Sequence, residues 1–422
     1  MKNLFYLFAV LLIASSCKES PQKKVIKEPL VVTASAKARI DSVLKNFVEA
    51  KNIAGVSALI FEQGEEVYYN AFGYADINAN KLMDRNTIVQ IYSMTKPITG
   101  TALMTLYEEG LFKLDDPISK YLPEFSNMTV YTGVDSKGNV LTAPLKRDIS
   151  IRDITRHTAG FPNRADIPGL SKLMIEADAM NRENTLAQMG EKMGEVPLWF
   201  QPGTQWEYGP SVDVQALLVE RISGVPYSEY VGAHVLDPLK MIETRYFIPE
   251  EDRDRFAKLY IRESEGKLVQ DSITYSNYTE HWPLTRGGSG LTSTLDNYMR
   301  FAQMLVNDGS LDSVQILNPE TVKLMATNQL ADSVTERSWL PTKGQVGFGI
   351  DFAVRVSPPK TPEENNGMVG EFYWDGAAST LFWVDPVNKL TAVLFVQLFP
   401  YDQIGLHKQF RDAVYGPYPF KK

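Results

Sequence analysis

Apolar residues recur at two spacings along this chain, and the spacings divide by region. Over residues 36–50 the side chains of Ile40, Val43, Leu44, Phe47 and Val48 fall on one stripe, which predicts an amphipathic helix. Residues 56–61 and 66–72 are rich in β-branched and aromatic residues and flank Gln63-Gly64, the pattern of a β-hairpin. Strand-like runs return only far downstream, at 347–352, 379–385 and 390–397, and residues 406–415 carry helical spacing again. Between about 93 and 281 helical periods and loops dominate. A lone hairpin is not a stable sheet, so the first hairpin needs the late strands as partners. The pattern predicts an α+β architecture: one domain split over residues 36–92 and 282–422, with a mostly helical domain, 93–281, inserted between the halves. No repeat of solenoid or propeller period is present.

The first residues follow another pattern. Met1-Lys2-Asn3 is a short positive start, residues 4–14 are apolar, and Ala14-Ser15-Ser16-Cys17 ends the run in small residues. As a helix the run would reach about half of the roughly 30 Å hydrocarbon core, so it reads as a secretion signal and not a permanent span. Cys17 is the only cysteine, which excludes an internal disulfide. An ordinary signal peptide with an incidental cysteine would show the same run; residues 1–16 are expected to be a bacterial lipoprotein signal cleaved before Cys17, whose sulfur would carry the lipid. That predicts a cell-envelope protein touching the membrane through its anchor alone. Residues 17–35, rich in Lys, Pro, Glu, Ser and Val, read as a tether.

Composition narrows the partners. With 43 basic against 51 acidic residues the net charge is −8, which argues against nucleic acid or an anionic lipid surface as the main partner. The four histidines include no H-E-x-x-H, and there is no cysteine cluster, so neither a metal site nor a cofactor is expected. His234, His281 and His407 have no mutual spacing that suggests a metal.

The chemistry centres on Ser93-Met94-Thr95-Lys96, preceded by the apolar residues 88–92 and followed by a helix-like run. If Ser93 opens that helix, the i, i+3 spacing puts the Lys96 amine on the same face as the Ser93 hydroxyl. A buried amine there can act as base, and the helix start aims unpaired N–H groups at charge developing on the seryl adduct. A plain N-cap with a solvated lysine would show the same four residues, so the wider chain decides.

Those four residues, the stretches Gly110-Leu111 to Pro117 and Ile151 to Gly160, Pro202-Gly203 through Tyr208, Gly287 to Thr294 and Trp374-Asp375-Gly376 stand in the order found in the serine β-lactamase and penicillin-binding protein superfamily, whose nucleophile motif is S-x-x-K. From about residue 36 to 400 the chain resembles the class C β-lactamase-related hydrolases, and among them the family VIII carboxylesterases. The resemblance implies a β-lactamase/transpeptidase-like fold: an antiparallel sheet flanked by helices, a mostly helical domain, and an active site in the cleft between them.

It also implies roles. Ser93 would be the nucleophile, with Lys96 and Tyr208 handling its proton. A phenolate Tyr208 stabilised by Lys96 and a neutral Lys96 with Tyr208 as relay both fit these residues. The backbone N–H groups of Ser93 and Ala377 would form the oxyanion hole. Trp374, Asp375 and Gly376 stand where β-lactamases carry Lys-Thr-Gly and would border the substrate. Asp375 would repel a substrate carboxylate, which tilts the reading from β-lactams towards esters, and Gly376 lets the strand come close. Pro210 removes the polar side chain that class C enzymes place two positions after the tyrosine. His157 is expected to be structural rather than a triad base, the glycines of 287–291 to border the site, and Asp115-Asp116 to be solvated turn carboxylates.

The expected function is a serine hydrolase forming an acyl-enzyme with a small-molecule ester, with no protein partner implied. An amide-directed β-lactamase or cell-wall peptidase is the alternative within the fold. A binding protein that kept the fold without catalysis is the alternative outside enzymology.

Overall fold

Thr33 opens the first helix: its side chain accepts from Ala36 N at 3.3 Å and caps α1 (Ala34–Glu49). The computed structural model describes residues 29–419. The signal, Cys17 and most of the expected tether lie outside the described residues. The rest of the tether is shorter than expected. Val31 N and Val32 N donate to the buried Glu62 carboxylate at 2.7 and 3.0 Å, so the chain is tied to the body before residue 35.

The expected hairpin forms from β1 (Gly55–Glu62) and β2 (Glu65–Asp76), with β3 (Lys81–Leu82) beyond it. Its partners come from the other end of the chain: β4 (Val346–Phe348), β5 (Ala353–Arg355), β6 (Phe372–Asp375), β7 (Leu381–Asp385) and β8 (Leu390–Val396). The eight strands lie in the order β4-β5-β6-β7-β8-β1-β2-β3. β8 pairs antiparallel with β1, Val396 opposite Val56.

One strand expectation is corrected. Residues 347–352 do not form a single strand: the chain turns after Phe348, and Phe348 pairs with Ala353. Asp351, at φ +59°, turns inward, its N–H bonded to Thr155 O and its carboxyl accepting from Gln215. The segment is apolar because it is buried at a turn, not because it runs on as a strand.

Helices cover both faces. The chain supplies α2 (Thr95–Glu108), α3 (Ser211–Ser223), α4 (Leu295–Val306) and α5 (Leu406–Tyr415). On β7, Phe382 meets Tyr298 and Phe301 of α4, whereas its neighbour Trp383 meets Phe410 and Tyr415 of α5. Adjacent strand residues point to opposite faces, so α4 lies on one side and α5, with α1 against it, on the other. A sheet buried on both faces explains why β1, β7 and β8 read as continuous apolar runs.

Residues 93–281 hold helices and loops, but also a hairpin of Thr129–Val134 with Val140–Pro144. Asp115 and Asp116 are not simply solvated: Asp115 pairs with Arg152 at 2.7 Å, and Asp116 accepts from Lys120 and Tyr121. No helix among the described residues is long and apolar enough to cross a membrane.

Candidate active site

Ser93 sits in a short 3-10 turn, Tyr92–Met94, that runs directly into α2. Tyr92 carries φ +45°, a conformation that costs a non-glycine residue energy and persists only where the surroundings fix it. The surroundings do so. Val89–Gln90 pairs with Thr292–Ser293, Ile91 N donates to Leu291 O, the Tyr298 hydroxyl donates to Met94 O at 2.8 Å, and the Tyr92 ring packs edge-on to Phe399. The same pairing carries the glycine-rich 287–291 stretch to the nucleophile.

Lys96 lies one turn further on and is buried, with 5% of its surface exposed. Its Nζ donates to Ser93 Oγ at 3.2 Å and to Gly288 O at 2.6 Å. Burial disfavours the ammonium form, and although the Asp213 charge pulls the other way, the amine is lowered to about 8. Asp213 itself would be raised by burial, but Arg286, with contacts of 3.2 and 3.1 Å, holds it below the usual carboxylate range. Gly288 N also donates to Asp213, at 3.0 Å. A Cβ at position 288 would stand 2.9 Å from that carboxylate, so a side chain there would press on the Asp213 carboxylate that Arg286 and the Gly288 N–H hold.

Tyr208 precedes α3, and its ring lies 4.6 Å from Lys96 Nζ. Burial raises its phenol above the ordinary value, partly offset by hydrogen bonds with Ser93 and Trp374. Trp374 is almost fully buried on β6 and donates its indole N–H to Tyr208 Oη at 3.2 Å. Its side chain therefore orients the phenol as well as walling the site. His157 packs 4.7 Å from the Tyr208 ring, burial holds its imidazole well below the ordinary range, and neither ring nitrogen has a hydrogen-bond partner among the described residues. It makes no bond to Ser93, as the structural role expected for it requires.

Gly376 ends β6 at a point where a Cβ would collide with Thr380 Oγ1 and with the carbonyl oxygen of Ile91. Its smallness seats the 376–380 turn against the segment carrying Ser93. Neither the Ser93 N–H nor the Ala377 N–H finds an acceptor among the described residues, and both residues line one cavity. Asp375 does not face substrate as a free carboxylate. It forms a buried ion pair with Lys343 and accepts from Tyr401 Oη at 2.7 Å. The repulsion expected of Asp375 is therefore answered by a cation that the local motif does not contain.

Lys343 and Tyr401 are the neighbours of Asp375 in the cleft that the motifs missed. They lie 32 and 26 residues from Asp375 and carry no pattern of their own. Asn163 is a third: its amide donates to Tyr208 O at 3.2 Å and faces the cleft where Pro210 offers no polar group.

Ser93 and Tyr208 stand between two cavities. One, of about 500 Å³, runs past Phe161, Met174, Met180 and Met193; the other, of about 590 Å³, runs past Trp339, Lys343, Asp375 and Ala377. An apolar-lined cleft with a few convergent polar groups suits a small molecule. No group of His, Cys, Asp and Glu that could hold a metal occurs among the described residues.

A two-sided helix-covered antiparallel sheet with a serine-lysine pair at a helix start is the β-lactamase/transpeptidase-like class of fold. A family model described as Beta-lactamase matches residues 40–414, and the chain belongs to that family. Protein Rv1367c of Mycobacterium tuberculosis is 31% identical over 85% of this chain and 89% of its own. Esterase EstB of Burkholderia gladioli is 28% identical over 91% of this chain and 96% of its own. Among solved structures, simvastatin synthase (LovD) of Aspergillus terreus superposes with a TM-score of 0.78 at 23% identity, covering 92% of this chain and all of that one. That likeness speaks for the fold alone.

Proposed function

We propose that the protein is a serine hydrolase that cleaves small carboxylic esters through an acyl-enzyme on Ser93. The observation that carries this reading is the Lys96 amine, 3.2 Å from the Ser93 hydroxyl and lowered to about 8, which makes a base of it near neutral pH. The similarity to an esterase at 28% identity supports the choice of ester; Asp375, paired with Lys343, gives no separate argument against a substrate carboxylate.

Neutral Lys96 takes the Ser93 proton as Oγ bonds to the ester carbonyl carbon. The carbonyl π electrons move to its oxygen, and the Ser93 and Ala377 N–H groups receive that charge; each such donor is worth about 3–4 kcal/mol. As the tetrahedral adduct collapses, the bond to the alcohol oxygen breaks and the proton passes from Lys96 through the Tyr208 phenol to the leaving oxygen. Water then adds to the acyl carbon as Lys96 takes one of its protons; when this second tetrahedral adduct collapses, the bond to Ser93 Oγ breaks, Lys96 returns the proton to Oγ 3.2 Å away, and the acid leaves. The raised phenol supports Tyr208 as relay rather than first base, since its anion is the more costly one to form here.

The test sets a short-chain p-nitrophenyl ester beside a chromogenic cephalosporin, with Ser93→Ala as control. Ester turnover lost in the control is the expected result. Rapid cephalosporin turnover without ester hydrolysis would replace the proposal with a β-lactamase, and turnover of neither by folded protein would favour a peptidase or a binding protein. Lipid anchoring at Cys17 is the cellular half of the proposal; the mass of the mature N-terminal peptide, with or without acyl chains, decides it.

A further inference from the structure

Five residues, 376–380, carry the Ala377 N–H from β6 to β7, and their geometry is unusual. Ser379 stands at φ +64°, in the left-handed region that a serine occupies at a cost. The turn is pinned at several atoms. Gly376 N donates to Thr380 O and Ser379 N to Gly376 O, both at 2.9 Å. The Ser379 hydroxyl accepts from Asp402 N at 2.9 Å and donates to Leu398 O at 3.1 Å. The Ala378 carbonyl accepts from Leu398 N at 3.1 Å, and the Ser379 carbonyl lies 2.8 Å from Nε2 of His407, a residue 3% exposed at the start of α5.

A carbonyl only accepts, so Nε2 of His407 must carry the hydrogen. Nδ1 faces Tyr401 Oη at 3.3 Å and Asp402 Oδ2 at 3.6 Å. Tyr401 Oη in turn accepts from Lys343 at 2.8 Å and donates to Asp375. Two adjoining sets of hydrogen bonds thus grip the two ends of the turn: Lys343 and Tyr401 hold Asp375 just before it, and His407 holds the Ser379 carbonyl near its far end.

We infer that His407 is a positioning residue for the oxyanion hole: by donating to the Ser379 carbonyl it holds the strained turn that aims the Ala377 N–H. Its effect falls on the transition state, because a donor set must meet the oxyanion rather than the ground-state carbonyl. The inference rests on the acyl-transfer reading of Ser93. Its readout is a turnover number that falls while KM holds, with recovery by any side chain that restores the donor.

The experiment compares His407→Gln, whose Nε2 can reach the same carbonyl, with His407→Asn, one carbon too short, and His407→Leu. For hydrolysis of a p-nitrophenyl ester, kcat of the Leu and Asn variants is expected to fall about tenfold, a part of what outright loss of an oxyanion donor costs, with KM within twofold. The Gln variant is expected to stay within threefold of the unmodified protein. Fluorophosphonate labelling of Ser93 should slow in parallel. If the Leu variant does not fold, the Gln and Asn pair carries the test, since the two differ only in reach. Equal kcat in all forms, or equal loss in Gln and Asn, overturns the positioning role. Unmodified protein that neither turns over esters nor takes the label overturns the acyl-transfer reading on which it rests, and that result is distinct from the other two.

Discussion

Lys96 and Tyr208 share one pocket, yet burial acts on them in opposite directions: it lowers the amine to about 8 and raises the phenol. A base must be unprotonated to work, so kcat/KM is expected to climb about tenfold per pH unit below 8 and to level off above it. A pH–rate profile checks this. A limb in the ordinary phenol range or beyond would instead make Tyr208 the group whose ionisation counts. Both orders of proton transfer fit the sequence, because a residue's burial is not written beside it. The Ser93–Lys96 pair is legible for the opposite reason, since its geometry follows from three positions of local chain. Lys343 and Tyr401 are not legible. They reach Asp375 from remote segments, and a lone lysine at the end of a short 3-10 turn carries no signal of where its ammonium goes.

At the scale of elements, the turn after β6 shows how little room the oxyanion hole leaves. Replacing Gly376 by alanine puts a methyl group against the Ile91 carbonyl and Thr380, so the turn must lift away from the Ser93 segment. Turnover by Gly376→Ala is expected to drop about a hundredfold, with stability lowered by about 1–3 kcal/mol from overpacking; steady-state kinetics and thermal unfolding measure the two. Unchanged kinetics would mean that the turn does not hold the oxyanion donors. The hairpin β1–β2 and helix α5 are legible from spacing and glycine alone, since Gln63-Gly64 fixes the turn and a wide apolar stripe fixes the helix. The break between β4 and β5 is not. An apolar run at a buried turn has the same composition as a buried strand, and only the pull of Gln215 and Thr155 on Asp351 separates them.

The sheet of the whole molecule is closed by chain segments more than 300 residues apart, β1 against β8. The sequence motifs imply that closure only through a hairpin that lacks partners. Near the N-terminus the chain is held by Glu62, 1% exposed, whose carboxylate accepts from the N–H groups of residues 31 and 32. A chain beginning at residue 33 is therefore expected to be about 1–3 kcal/mol less stable than one beginning at residue 29, because it leaves a buried carboxylate short of two donors. Urea titration compares them, and equal midpoints would contradict the role given to Glu62. Composition had suggested a tether through residue 35, and it could not register a carboxylate thirty residues away reaching back to bind it.

The claim on which the rest depends is that Ser93 accepts an acyl group. Intact-mass spectrometry of the protein after a fluorophosphonate, followed by peptide mapping, tests it directly. A single adduct is expected on the peptide containing Ser93, absent from Ser93→Ala. An adduct on another residue, or none on folded protein, would contradict it.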